Sequence, residues 1–182
     1  MATAKGVEIT NLDATPRTTL EAASGGGKMR VFMDTIAAGT GDIDDNDIIL
    51  LAELPSNAKI SSIMLYSDDL DSGGSPSLTW NVGLYNGQTK FNDTDASATA
   101  YAAGAVLDED CYATAVSGSA AITGTECAFE ARNINAIANF IWEDGGLSSD
   151  PKVPLRVGLT VQAAAATAAA GDITLVVTYI VD

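Results

Sequence analysis

Residues 77–87 read SLTWNVGLYNG. Leu78, Trp80, Val82 and Leu84 alternate with Thr79, Asn81 and Gly83, a period of two that makes a single apolar face only in an extended strand. The stretch therefore predicts a strand with Trp80 in the core and a tight turn at Asn86-Gly87. Two later stretches repeat the pattern. Leu155, Val157, Leu159 and Val161 alternate with Arg156, Gly158 and Thr160, which are read as outward, and Ile173, Leu175, Val177, Tyr179 and Val181 close the chain.

Three weaker strands precede these. They are Met29 to Ile36, Ile48 to Leu54 (stopped by Pro55), and Ala58 to Tyr66, where Ser61-Ser62 breaks the alternation and predicts a bulge. An internal echo links SDDLDSGGSPSLTWNVGLY and EDGGLSSDPKVPLRVGLTV. Each runs acidic turn, Gly-Gly, Pro and a Val-Gly-Leu strand, which suggests equivalent strands in two facing sheets. Helical signal is minor. Cys127, Ala131, Ile134, Ala138 and Ile141 follow a 4-3-4-3 spacing, with Asn133 or Asn135 as caps and Gly145-Gly146 as the stop. The alanine-rich residues 94–107 read as a short helix or loop, and Ala163 to Ala170 as a connection. Many strands, Gly/Ser/Asp turns and one short helix predict an all-β chain with minor α: an antiparallel β-sandwich of jelly-roll type. Residues 1–28, closed by Gly25-Gly26-Gly27, read as an extended N-terminal arm, and 29–182 as the sandwich domain.

Composition narrows the function. Histidine is absent from all 182 residues, so no Ser-His-Asp triad, Cys-His dyad or histidine-based zinc site can be built from this sequence. Nine basic against 24 acidic residues give a net charge of −15, which disfavours nucleic acid and anionic membrane as partners. The N-terminus lacks an apolar leader core, and no apolar run nears the ~18 residues of a membrane span, so assembly in a cytoplasm is expected. Cys111 and Cys127 are read as free thiols.

The sharpest local pattern is GDIDDNDIILLAE. Asp42, Asp44, Asn46 and Glu53 match the carboxylate spacing of an EF-hand loop, but Asp47 stands where the loop needs glycine and a strand follows where a helix should. What remains is a looser calcium site on Asp42, Asp44 and Asp47, set against a solvated acidic turn; no other cofactor is implied. Asp68, Asp69 and Asp71, and Asp108, Glu109 and Asp110, sit in turn-like sequence rather than in the pattern of a paired-carboxylate hydrolase. Gly73-Gly74 and Gly145-Gly146 are turn glycines, since no phosphate-loop lysine follows. Tyr85, at a strand end, is the best candidate for an exposed contact aromatic, and Trp142 is read as packing a helix cap.

The stretches DIILLAELPSNAKISSIMLYSDDL and SLTWNVGLYNG resemble a recurring type of tailed-bacteriophage virion protein, as do IWEDGGLSSDPKVPLRVGLTV and GDITLVVTYIVD. The resemblance covers about half the chain. It implies a non-enzymatic capsid decoration (cement) protein on the virion surface, a homotrimer bound to neighbouring major capsid subunits. Candidate contacts are then the arm, with Arg17, the acidic turn, with Asp45, and Tyr85. The alternatives are a carbohydrate- or receptor-binding sandwich module, calcium-assisted, and a tail or connector protein.

Overall fold

The computed structural model describes residues 5, 7–16, 18, 27–87 and 105–181. Eight strands follow one another: β1 (Lys28–Ala38), β2 (Ile48–Leu54), β3 (Lys59–Ser67), β4 (Thr79–Asn86), β5 (Val106–Ser117), β6 (Ile122–Glu126), β7 (Leu155–Ala163) and β8 (Gly171–Val181). They form two four-stranded antiparallel sheets, ordered β1-β8-β3-β6 and β2-β7-β4-β5. Strands 1, 8, 3, 6 against 2, 7, 4, 5 is the jelly-roll order, so the fold expected from the alternating strands is present. A helix α1 (Val7–Asp13) lies within the stretch read as an arm, with Lys5 Nζ 2.7 Å from Asp13 Oδ2. A 3-10 turn at Ile134–Ala136 and the short helix α2 (Ile141–Asp144) lie between β6 and β7.

The alternating strands line the core as their period requires. Leu78, Trp80, Val82 and Leu84 are buried, as are Leu155, Val157, Leu159 and Val161 beside them. Ile63, Leu65, Ile173, Leu175 and Val177 face them from the first sheet. Both cysteines are free, Cys127 buried and Cys111 half-buried. The bulge expected at Ser61-Ser62 is present, because the β3–β8 register shifts between Ile60 and Ser62.

Three expectations need correction. The two Val-Gly-Leu strands do not face each other across the sandwich. They pair side by side, Val82 with Leu159, Gly83 with Gly158 and Leu84 with Val157. A side chain at either glycine would strike the next strand. A Cβ on Gly83 would lie 2.2 Å from Asp108 O, and one on Gly158 2.6 Å from Ile49 O. The residues read as outward are consequently covered: Asn81, Gly83, Gly158 and Thr160 are buried.

The helix read over Cys127 to Ile141 is not there. Only Cys127 and Ile141 of its five apolar positions are buried, while Ala131, Ile134 and Ala138 are exposed. Other acceptors take the backbone donors that a helix would need. Cys127 N donates to Ile63 O, Ala128 N to Glu126 Oε1, and Ile141 N to Ala58 O. The expected cap at Asn133 does form, on the 3-10 turn, where its Oδ1 accepts Asn135 N. Gly145 ends α2, and Trp142 is half-buried against the core.

β5 and β6 carry no alternating signal and were not anticipated. Between its contacts with Leu84 and Val82, β5 advances from Asp108 to Ala113, a large bulge that destroys the period of two. Of the alanine-rich stretch, residues 94–104 lie outside the described residues, and β5 starts within its last two positions.

Candidate interaction surface

Two carboxylates of the acidic turn between β1 and β2, those of Asp42 and Asp47, accept hydrogen bonds from the turn's own backbone. Asp42 Oδ2 accepts Gly39 N at 2.8 Å, and Asp47 Oδ2 accepts Asp44 N at 2.8 Å. Asp45 Oδ2 accepts Asn46 Nδ2 at 3.0 Å, and Asn46 takes the left-handed backbone (φ 70°) that asparagine tolerates. Ile43 anchors the turn in the core. The loop thus builds a turn from the residues proposed for calcium, and among the described residues no group of three or more acidic or thiol side chains is placed to hold a metal. Asp45 stays exposed at the tip. Arg17 lies outside the described residues.

Tyr85 is not an exposed contact: it is fully buried. It pairs with Arg156, while its hydroxyl bonds to Thr160 Oγ1, whose partner across the ladder is Asn81. The side chain therefore runs past the Gly83–Gly158 rung on the outside of the sheet, where two missing side chains leave room. The sequence placed Tyr85 at a strand end; the β5 bulge that covers it was invisible there. Burial raises its hydroxyl to about 12, although the bond to Thr160 works the other way.

Two further polar clusters are structural. Asp71 is buried and accepts backbone N–H groups from Ser77 (2.6 Å), Leu78 (3.1 Å), Ala166 (2.9 Å) and Thr167 (2.9 Å). It ties the β3–β4 connection to the β7–β8 connection. Burial opposes its ionisation, yet these bonds hold its carboxyl well below the usual range. The second cluster is Arg132 with Asp144, both side chains 2% exposed. Nε and Nη2 of Arg132 reach the two carboxylate oxygens at 3.2 and 2.6 Å, and Tyr112 Oη donates to Asp144 Oδ2 at 3.1 Å. Burial pushes Asp144 up to about 6, against the pull of Arg132 and Tyr112. The pair borders an open cavity of about 410 Å³, also lined by Asp108, Asp110, Cys111 and Glu143. Burial drives the Cys111 thiol far up and Cys127 to about 12, so both stay protonated near neutral pH and are poor nucleophiles.

The feature that the sequence reading missed is the outside of the first sheet. The odd-numbered residues of β1 point away from the core, since Phe32, Ile36 and Ala38 pack inward. Their rungs cross three strands: Met29–Ile180–Lys59, Val31–Thr178–Ser62, Met33–Val176–Met64 and Thr35–Thr174–Tyr66. Thr35 and Thr174 share a hydrogen bond of 2.8 Å on this face. Met29, Val31 and Met33 are 67%, 57% and 68% exposed, and Tyr66 38%. Four of the ten exposed large apolar side chains among the described residues thus lie together. The signal was available: Met29, Val31 and Met33 alternate with Arg30, Phe32 and Asp34, but nothing in the sequence says which set faces solvent.

No family model and no curated protein matches the chain. Solved structures do. A chain of the cyanophage Pam1 capsid asymmetric unit is similar over 87% of this chain and 88% of its own, at 24% identity and a TM-score of 0.55. A chain of the capsid of Ralstonia phage GP4 is similar over 87% and 86%, at 23% identity and a TM-score of 0.56. The likeness is one of fold and spans nearly the whole chain.

Proposed function

We propose that this chain is a non-enzymatic structural component of a phage virion, one that decorates the capsid surface by binding neighbouring major capsid subunits. The observation that carries the reading is the shared jelly roll over 87% of the chain with components of two phage capsids. The molecule's own chemistry supports it. Its strongest polar groups, Asp71, Arg132, Asp144 and Tyr85, are consumed in holding loops and sheets together, and the thiols are protonated. Of the two aromatics that the glycan-binding alternative calls on, Tyr85 is buried and Trp142 is half-buried against the core. Asp45, exposed at the acidic turn, stays a proposed shell contact, and the net charge of −15 suits a basic patch on the shell. Self-association belongs to the reading; the homotrimer is what the sequence resemblance implies for it.

The test is co-sedimentation of the purified chain with empty heads of the phage that encodes it. Saturable binding at a fixed ratio to the major capsid protein is expected, with density on the outer lattice in electron micrographs. No binding to heads, or density confined to a tail ring, overturns the proposal.

A further inference from the structure

We infer that β1 is the edge through which this chain pairs with a second copy of itself, β1 running antiparallel to β1 about a two-fold axis at Phe32, so that two four-stranded sheets join into one. The inference rests on the self-association part of the reading above and narrows it to a two-fold pair. Three observations carry it.

The first is the state of the edge. Four strands border the two sheets, β1 and β6 on one, β2 and β5 on the other. β6 has five residues, and the registers of β2, β5 and β6 all shift against their neighbours. Short length and bulges are how sheets blunt their edges. β1 has neither. Its eleven residues pair with β8 rung by rung without a shift, and none is proline.

The second is the backbone that this edge offers. Residues of an antiparallel strand turn their N–H and C=O alternately to one side and the other. Asp172 O accepts Asp68 N, on the β3 side of β8. The alternate set, every second residue from Ile173 to Val181, therefore bonds β1, through every second residue from Ile36 to Lys28. Met29, Val31 and Met33 are left with N–H and C=O directed at the free edge, and all three are exposed. Thr35, next in that set, gives its N–H to the carboxylate of Asp34.

The third is self-complementarity. Turned end for end about Phe32, the run Arg30-Val31-Phe32-Met33-Asp34 meets itself as Arg30 on Asp34, Val31 on Met33 and Phe32 on Phe32. Apolar side chains meet apolar ones, and unlike charges meet twice. Arg30 and Asp34 lie on the same side of β1 as Phe32, and both are exposed. Among the described residues Arg30 has no ion-pair partner. Beside Asp34 lies a cavity of about 220 Å³, also bordered by Phe32, Glu53 and Arg156. Its two carboxylates face one guanidinium, which leaves charge for the Arg30 of a second copy. Charges on an edge strand block pairing when they meet their like; here their opposite signs select it. Moving the axis to Val31 keeps Lys28 on Asp34 but sets Arg30 against Phe32, and moving it to Met33 sets Asp34 against Phe32. The edge is thus complementary to itself in one register under a two-fold rotation, the condition for an isologous interface.

The experiment is light scattering coupled to size-exclusion chromatography on the purified full-length chain without heads, over a range of concentrations. A dimer mass is expected, with the amides of Val31 and Met33 exchanging more slowly as concentration rises. Arg30→Asp and Asp34→Arg each turn two attractive pairs into two repulsive ones and should each weaken dimerisation by roughly tenfold or more. An equimolar mixture of the two single variants restores both pairs between the chains and should regain the dimer, a rescue that no folding defect reproduces. A monomer or a trimer in the wild type, single variants that dimerise as the wild type does, a mixture that stays monomeric, or edge amides indifferent to concentration overturns the inference. Head binding is read separately, so a chain that dimerises but ignores heads sinks the proposed function and leaves this contact standing.

Discussion

At the residue scale the buried charges dominate. Arg132 and Asp144 pair out of water, so removing Arg132 strips a buried carboxyl of its charged partner and leaves it the Tyr112 hydroxyl. Arg132→Ala is expected to cost about 3–5 kcal/mol, read by urea unfolding; a loss under 1 kcal/mol would mean that water reaches Asp144. Asp71 and Asp144 make opposite contributions to the pH dependence. A carboxyl held below its unfolded value of about 3.9 stabilises the fold above that pH, and the effect fades as pH falls toward the folded value. The stability gap between wild type and Asp71→Asn should therefore shrink as pH drops from 7 to below 3. Asp144 is raised instead, so its ionisation costs stability as pH climbs from about 4 through about 6. Its carboxyl resonance should titrate near 6 by NMR; a midpoint below 4 would contradict the weight given to burial.

At the element scale the Gly83–Gly158 rung is the tightest joint. Both glycines are needed for close approach: the bulged backbone of β5 lies over one and β2 over the other. Gly83→Ala puts a methyl group 2.2 Å from Asp108 O, a clash with backbone that no side-chain rotation relieves. Overpacking of this kind costs about 1–3 kcal/mol, and the amides of residues 108–112 should lose protection from hydrogen exchange. An unchanged melting temperature would show that β5 moves freely. The same rung explains why strands with clean alternation were legible while β5 was not. In β4, β7 and β8 the repeat of two survives because each pairs with a strand on both sides. β5 lies at an edge, where three register shifts against β4 leave no period to read.

For the whole molecule, charge is the governing quantity. A net −15 on 182 residues repels itself, and salt screens that repulsion over a Debye length of about 10 Å at 0.1 M. The melting temperature should rise from low salt to 0.5 M sodium chloride, by about 2–4 °C for each kcal/mol of repulsion relieved. A falling curve would mean that surface ion pairs outweigh net repulsion, an unexpected result for a molecule whose partly exposed pair Arg156–Glu53 is itself about one-third open to water.

The sequence alone determined the strands whose alternation matches a half-buried sheet, the bulge at Ser61-Ser62 and the jelly-roll class, because side-chain periodicity is a local property of the chain. It also determined the absence of histidine chemistry. Only the tertiary structure decided which strands became neighbours, that Val82-Gly83-Leu84 would pair with Val157-Gly158-Leu159, and that Tyr85 would be covered. It decided, too, that Met29, Val31 and Met33 would face outward. Those outcomes depend on contacts between residues as far apart as Tyr85 and Thr160 or Met33 and Val176, which no reading of neighbours along the chain contains.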